Sequence, residues 1–178
     1  MRIKSLLGFV GRVTVVHFVT YFIFGLIFLL FNPFSPGQHI IHALTEFDCY
    51  FRPITDPLVS AGPLFQILRG AILALVLFPF RNVFLKNKWG WLYLWGLFLG
   101  LAIIAPTGAC PGSIEGVAYT KLPLSIFWTG NPETYLQTLA FALLVYTWER
   151  RREKKVTIPL MGAFAITFLF SLLAVLAQ

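Results

Sequence analysis

The sequence predicts an all-α integral membrane protein, a bundle of five transmembrane helices, on three observations. Hydrophobic residues make up 58% of the 178 and charged residues only 12%. The mean hydropathy of +0.79 lies above that of water-soluble domains of this length. Five apolar runs, at about residues 13–31, 63–80, 89–106, 132–148 and 158–177, each come close to the roughly 20 residues that cross a bilayer as a helix. Together they fill the chain, so residues 1–178 are expected to form a single transmembrane domain.

Charge then sets the orientation. The formal net charge is +7, and eleven of the fourteen Lys and Arg residues fall in segments that the five spans place on one side. Basic loops stay cytoplasmic, so the expected topology is N-in and C-out, in the plasma membrane. Nucleic acid is excluded as a partner, because no basic stripe with interleaved aromatics lies outside the apolar runs. The first run is read as a span rather than a signal peptide, being too long and lacking a small-residue cleavage site.

Span one follows Arg2, Lys4 and Arg12 and stops at Asn32 and Pro33. Its Thr14, His17 and Tyr21, spaced by three and four, lie on one face that points at the bundle rather than at lipid. With no carboxylate at its depth, His17 is expected to be a hydrogen-bonded packing residue. Residues 38–51 then read as an amphipathic helix on the outer surface. Ile40, Ile41, Leu44 and Phe47 form its apolar side, and His39, His42, Glu46 and Cys49 its polar side. That polar stripe has the ligand types of a metal site but no known zinc spacing, and one helix cannot enclose an ion. It is read as a wet face, and no cofactor is expected.

Span two, PLFQILRGAILALVLFPFR, is the stretch around which the chain is expected to be organised, because it carries Gln66 and Arg69 within an apolar run. An arginine in hydrocarbon costs several kcal/mol unless it reaches water or a partner. Arg69 lies six residues from Pro63, about 9 Å deep at 1.5 Å per residue. Gln66, Gly70 and Ala74 share a face, and the two small residues allow a neighbouring helix to come close. Residues 81–88 form a basic inner loop that leads to the interfacial aromatics Trp89, Trp91, Tyr93 and Trp95. Span three follows, with Gly96 and Gly100 as a GxxxG pair for close packing within the chain or against another helix, including a second copy.

The second outer segment, residues 107–130, begins TGACPGSIEG, whose glycines and prolines bar a regular helix. Its LPLSIFW is too short to cross and reads as interfacial or re-entrant. Glu115 sits beside glycine-rich backbone whose N–H groups suit an anion or a capping turn. Span four opens with Asn131, Pro132 and Glu133 as cap, first-turn proline and acid at the positive end of the helix dipole. Gln137 stands one turn further in, at the depth of Arg69, so Glu133 and Gln137 are the preferred partners of that arginine. The run ERRREKK, residues 149–155, is read as solvated and cytoplasmic. Thr157 and Pro159 open the uncharged fifth span. Cys49 and Cys110 both fall outside, where a disulfide could join the two outer segments and where free thiols remain an alternative.

The stretches FRPITDPLVSAGPLFQILRGAILALVLFPFR, GWLYLWG, PGSIEG, YTKLPL and NPETYLQT together resemble a group of uncharacterised polytopic membrane proteins from bacterial and archaeal genomes. The resemblance covers about residues 50–145. It implies that Gln66, Arg69, Gly70, Glu115, Gly116 and Glu133 belong to a shared pattern, and it carries no assigned activity.

Three functions fit these residues. The first is binding or transport of a small anionic ligand or lipid headgroup in an outer-half pocket of Arg69, Gln66, Gln137, Glu133 and Glu115. The second is an accessory or assembly subunit in which Arg69 is closed in an ion pair and the glycine face docks a helix. The third, ranked last, is an outer-face enzyme with Glu115 or Glu133 as base and His39, His42 and Glu46 as metal ligands.

Overall fold

The computed structural model describes residues 3–31, 57–101 and 132–177. All regular structure among them is helical: α1 (Ile3–Phe31), α2 (Pro57–Ser60), α3 (Gly62–Leu77), α4 (Arg81–Lys86), α5 (Gly90–Leu99), α6 (Pro132–Arg151) and α7 (Lys154–Leu176). Three stretches are long and apolar enough to cross a membrane, namely Ile3–Phe28, Pro57–Leu77 and Lys154–Leu176. They correspond to the first, second and fifth expected spans. The amphipathic segment, the second outer segment and residues 102–106 of span three lie outside the described residues.

The central element is α1, not the span that carries Arg69. Helix α1 packs against α3, α6 and α7, and every residue from Val13 to Thr20 is buried. A helix buried on all sides needs a neighbour on every face, and α1 has α3, α6 and α7 around it. By contrast α3 buries only the stripe Gln66, Gly70, Ala74 and Leu77, which contains the face expected from the spacing of four. Its other side exposes Phe65, Leu68, Ile72, Leu75 and Val76.

Side-chain contacts fix the directions. Phe9 of α1 meets Phe78 just past α3 edge-on, with ring centroids 5.5 Å apart, and His17 meets Gln66. The two helices are therefore antiparallel. Gly25 of α1 lies near Glu133, where an added Cβ would stand 3.7 Å from its Oε1, while Arg12 meets Glu149. Helix α6 thus also runs antiparallel to α1. Helix α7 adds Phe164 and Phe168, whose rings lie 5.2 and 6.3 Å from Phe18.

Several boundaries differ from expectation. Helix α1 begins at Ile3, ten residues before the apolar run, because Lys4 and Arg12 are helix formers that need no hydrocarbon around them. The segment 81–88, expected as a loop, contains α4, held tightly to α5: a Cβ on Gly90 would fall 1.6 Å from the Phe84 carbonyl oxygen. Only glycine permits that approach. Tyr146 of α6 secures the same corner by donating its hydroxyl to the Asn87 carbonyl at 2.9 Å. Pro159 lies inside α7 rather than opening it.

These contacts gather Lys4, Arg12, Arg81, Lys86, Lys88 and the cations of residues 150–155 at one end of the bundle, here termed the basic end.

Candidate functional site

The site is built where α3 crosses α1. Gly70 brings the two backbones together, since a Cβ there would lie 2.9 Å from Thr14 Cα and 3.3 Å from His17 Cβ. This close approach lets the side chains on either side interlock. One turn along α3, Gln66 faces His17, with Oε1 and Nε2 3.2 Å apart. The Gln66 amide nitrogen donates to its own helix at Gly62 O, 3.5 Å away. Gln66 therefore presents its oxygen to the imidazole, and His17 donates from Nε2. The ring is held on its other side by Phe141 of α6, edge-on at 5.8 Å. His17 is the hydrogen-bonded packing residue expected from the sequence.

Thr14 and Thr20 differ in how their hydroxyls are satisfied. Thr20 Oγ1 donates to Val16 O at 2.8 Å, the usual recourse of a buried hydroxyl in a helix. Thr14 Oγ1 is buried and makes no hydrogen bond among the described residues. A buried polar atom left unpaired is costly. It lies at the crossing, within the same polar patch as His17.

Arg69 stands at the margin of this patch. It is exposed, three residues from Gln66 on α3, and its charge acts on both His17 and Tyr21. Glu133 acts on Tyr21 as well. The expected direct pairing is not what the structure shows. Among the described residues Arg69 has no ion pair or hydrogen bond, and Tyr21 stands where the fields of Arg69 and Glu133 overlap. Gln137 is half-buried and makes no hydrogen bond to Arg69. Of the five residues assigned to the pocket, Gln66 touches α1 at His17, and Glu133 lies near α1 at Gly25.

Glu115, His39, His42, Glu46, Cys49 and Cys110 lie outside the described residues. Among the described residues no group of three or more His, Cys, Asp or Glu could hold a metal. Gly96 and Gly100 have no described atom within 4 Å of an added Cβ, so they do not serve as the contact of α5 with the described helices.

A second cluster, at the basic end, removes Glu149 from the run 149–155 read as solvated, while residues 150–155 are exposed as expected. Glu149 is buried, its side chain only 2% exposed, and it accepts from Arg12 Nε on α1. Arg152 Nη2 completes the cluster at 3.1 Å from Glu149 Oε2. The physical reason is geometric: Glu149 follows Trp148 on α6, and the turn carrying both faces α1. Trp148 is buried too and donates its indole N–H to Thr157 Oγ1 at 2.8 Å. Sequence reasoning missed this triad, although one acid heading a run of cations directly after an apolar helix was a visible signal. Arg152 ends α6 with φ of 49°, a left-handed conformation that suits glycine better than arginine.

No protein-family model matches the chain, and no curated protein or solved structure matches it either.

Proposed function

We propose that the chain is a five-span plasma-membrane protein, N-in and C-out, that binds or transports a small anion or anionic headgroup at Arg69. One observation carries the reading: Arg69 belongs to a helix long and apolar enough to cross a membrane, yet it is exposed and without an ion pair among the described residues. A guanidinium so placed has donors for an oxyanion. The ring of His17, fixed by Gln66 and Phe141, supplies a rigid wall, and Tyr21 supplies a hydroxyl. The grouping of cations at the basic end supports the orientation, since such residues remain cytoplasmic.

The second reading, an accessory subunit, draws on Gly96 and Gly100, which have no described neighbour within 4 Å. The enzyme reading has no support among the described residues, and no substrate chemistry is assigned to it.

The test is native mass spectrometry of the purified full chain in mild detergent, with phosphate, succinate and glycerol phosphate offered in turn. The expected result is an anion retained by the wild type and lost from Arg69→Met, with the variant still folded. Removing a charge-assisted contact of this kind should weaken binding about tenfold or more. An Arg69→Met chain that unfolds, alongside a wild type that retains none of the three, favours the subunit.

A further inference from the structure

At the basic end, α1, α3 and the start of α4 border an open cavity of about 380 Å³ lined by Leu6, Leu75, Phe78, Pro79, Arg81 and Asn82. Its walls are apolar except at one corner, where Arg81 and Asn82 stand together. Arg81 is held in place twice. Its Nη1 donates to Ser5 Oγ at 3.0 Å, and its guanidinium carbon lies 4.1 Å from the centre of the Phe78 ring. Those contacts use one of five N–H donors and one face of the plane. No described acid pairs with Arg81, the described ion pairs being those of Arg12 and Arg152 with Glu149. A cation pre-positioned by a hydroxyl and an aromatic ring, with donors to spare, is organised for an oxyanion.

What surrounds the cation identifies the rest of the ligand. From Leu75 the exposed residues Ile72 and Leu68 continue along α3 at spacings of three and four, a line about 10 Å long at 1.5 Å per residue. This line leaves the cavity along a helix long and apolar enough to cross a membrane. A soluble anion would use the guanidinium and nothing else. An amphiphile would place its headgroup on Arg81 and Asn82 and its chain on Leu75, Ile72 and Leu68. Lys4, exposed next to Ser5, adds a second positive charge beside the mouth.

We infer that this cavity is a binding site for an anionic phospholipid, with the phosphate on Arg81 and one acyl chain along the exposed line of α3. The shared chemistry with free phosphate is the oxyanion. Basic recesses between helices near a headgroup layer are suited to such lipids.

The full chain in mild detergent is titrated with phosphatidylglycerol, phosphatidylcholine and inorganic phosphate, and bound species are counted by native mass spectrometry. The wild type is expected to retain phosphatidylglycerol over phosphatidylcholine, and Arg81→Gln to reduce that retention about fivefold to tenfold. Leu75→Trp, which fills the cavity and leaves the charge in place, should reduce it as well and decides the matter if Arg81→Gln does not fold. Arg69→Met should leave this bound lipid in place, which separates the site from the one proposed above. Retention unchanged in both Arg81→Gln and Leu75→Trp overturns the assignment. Phosphate that binds as well as the lipid and is lost with it in Arg81→Gln would overturn it in favour of a free ion, and loss of the lipid in Arg69→Met would move it to the other site.

Discussion

The bundle holds arginine in two contrasting settings. At the basic end Arg12 is largely covered, its side chain 22% exposed, and closed on a carboxylate that is 2% exposed. At the crossing of α1 and α3, Arg69 is exposed and has no such partner among the described residues. The difference shows that a charge within an apolar helix does not by itself mark a binding site; what matters is whether the fold supplies the counter-charge. Where it does, the pair ties helices together. Where it does not, donors are left for something else.

The largest effect should come from breaking the closed setting. Glu149→Ala leaves Arg12 covered and unpaired, and uncompensated charges of this kind cost about 3–5 kcal/mol. Unfolding in mixed micelles should record that loss, and combining Glu149→Ala with Arg12→Met should recover most of it. A loss under about 1 kcal/mol would put Arg12 in the class of exposed pairs and erase the contrast. Next in size is Gly70→Ala. Its methyl would press on the Thr14 backbone, and overpacking at a tight contact typically costs about 1–3 kcal/mol. The same unfolding assay should show it, together with weaker anion binding as Gln66 and His17 are pushed apart. Equal stability in that variant would mean that the crossing is looser than described.

The smallest effect sharpens the open setting. Thr14→Val replaces a buried, unpaired hydroxyl by a methyl of similar shape, and should gain up to about 1 kcal/mol. Thr20→Val, which removes a hydroxyl already bonded to Val16 O, should show no such gain. If the two variants behave alike, Thr14 Oγ1 has a partner in the folded protein.

How much of this was legible in the sequence depends on what kind of signal each feature leaves. The buried stripe of α3 was readable because Gln66, Gly70 and Ala74 recur at helical spacing and two of them are small. The identity of the central helix was not readable from apolarity. Helix α7 has the higher mean hydropathy, 2.3 against 1.7 for the α1 span, yet buries 17% of its membrane-length window against 39%. In a bilayer the more apolar helix is the one that can face lipid, so high hydropathy does not mark the central helix; nor does low, since the span of α3, at 1.6, buries only 18% of its window. Polar residues were the better guide: Thr14, His17 and Thr20 cover an arc of about 120° of α1, whereas Thr167 and Ser171 of α7 lie four apart on a narrower line, and all five are buried. Pairing across helices was beyond the sequence for a different reason. The depth estimate placed Gln137 level with Arg69 and Glu133 one turn away, but level residues can still face different neighbours. Glu149 was hidden among cations that are exposed, and only the packing of α6 on α1 distinguishes it from them.

One carboxamide has an outcome for the proton on His17. Gln66 is engaged at both ends, its nitrogen on Gly62 and its oxygen on the imidazole, so turning it over would disrupt both contacts at once. A main-chain carbonyl of α3 thereby dictates which tautomer a side chain of α1 adopts. Any further proton must arrive at Nδ1, and the direction from which His17 can be addressed is set by the backbone of its neighbour.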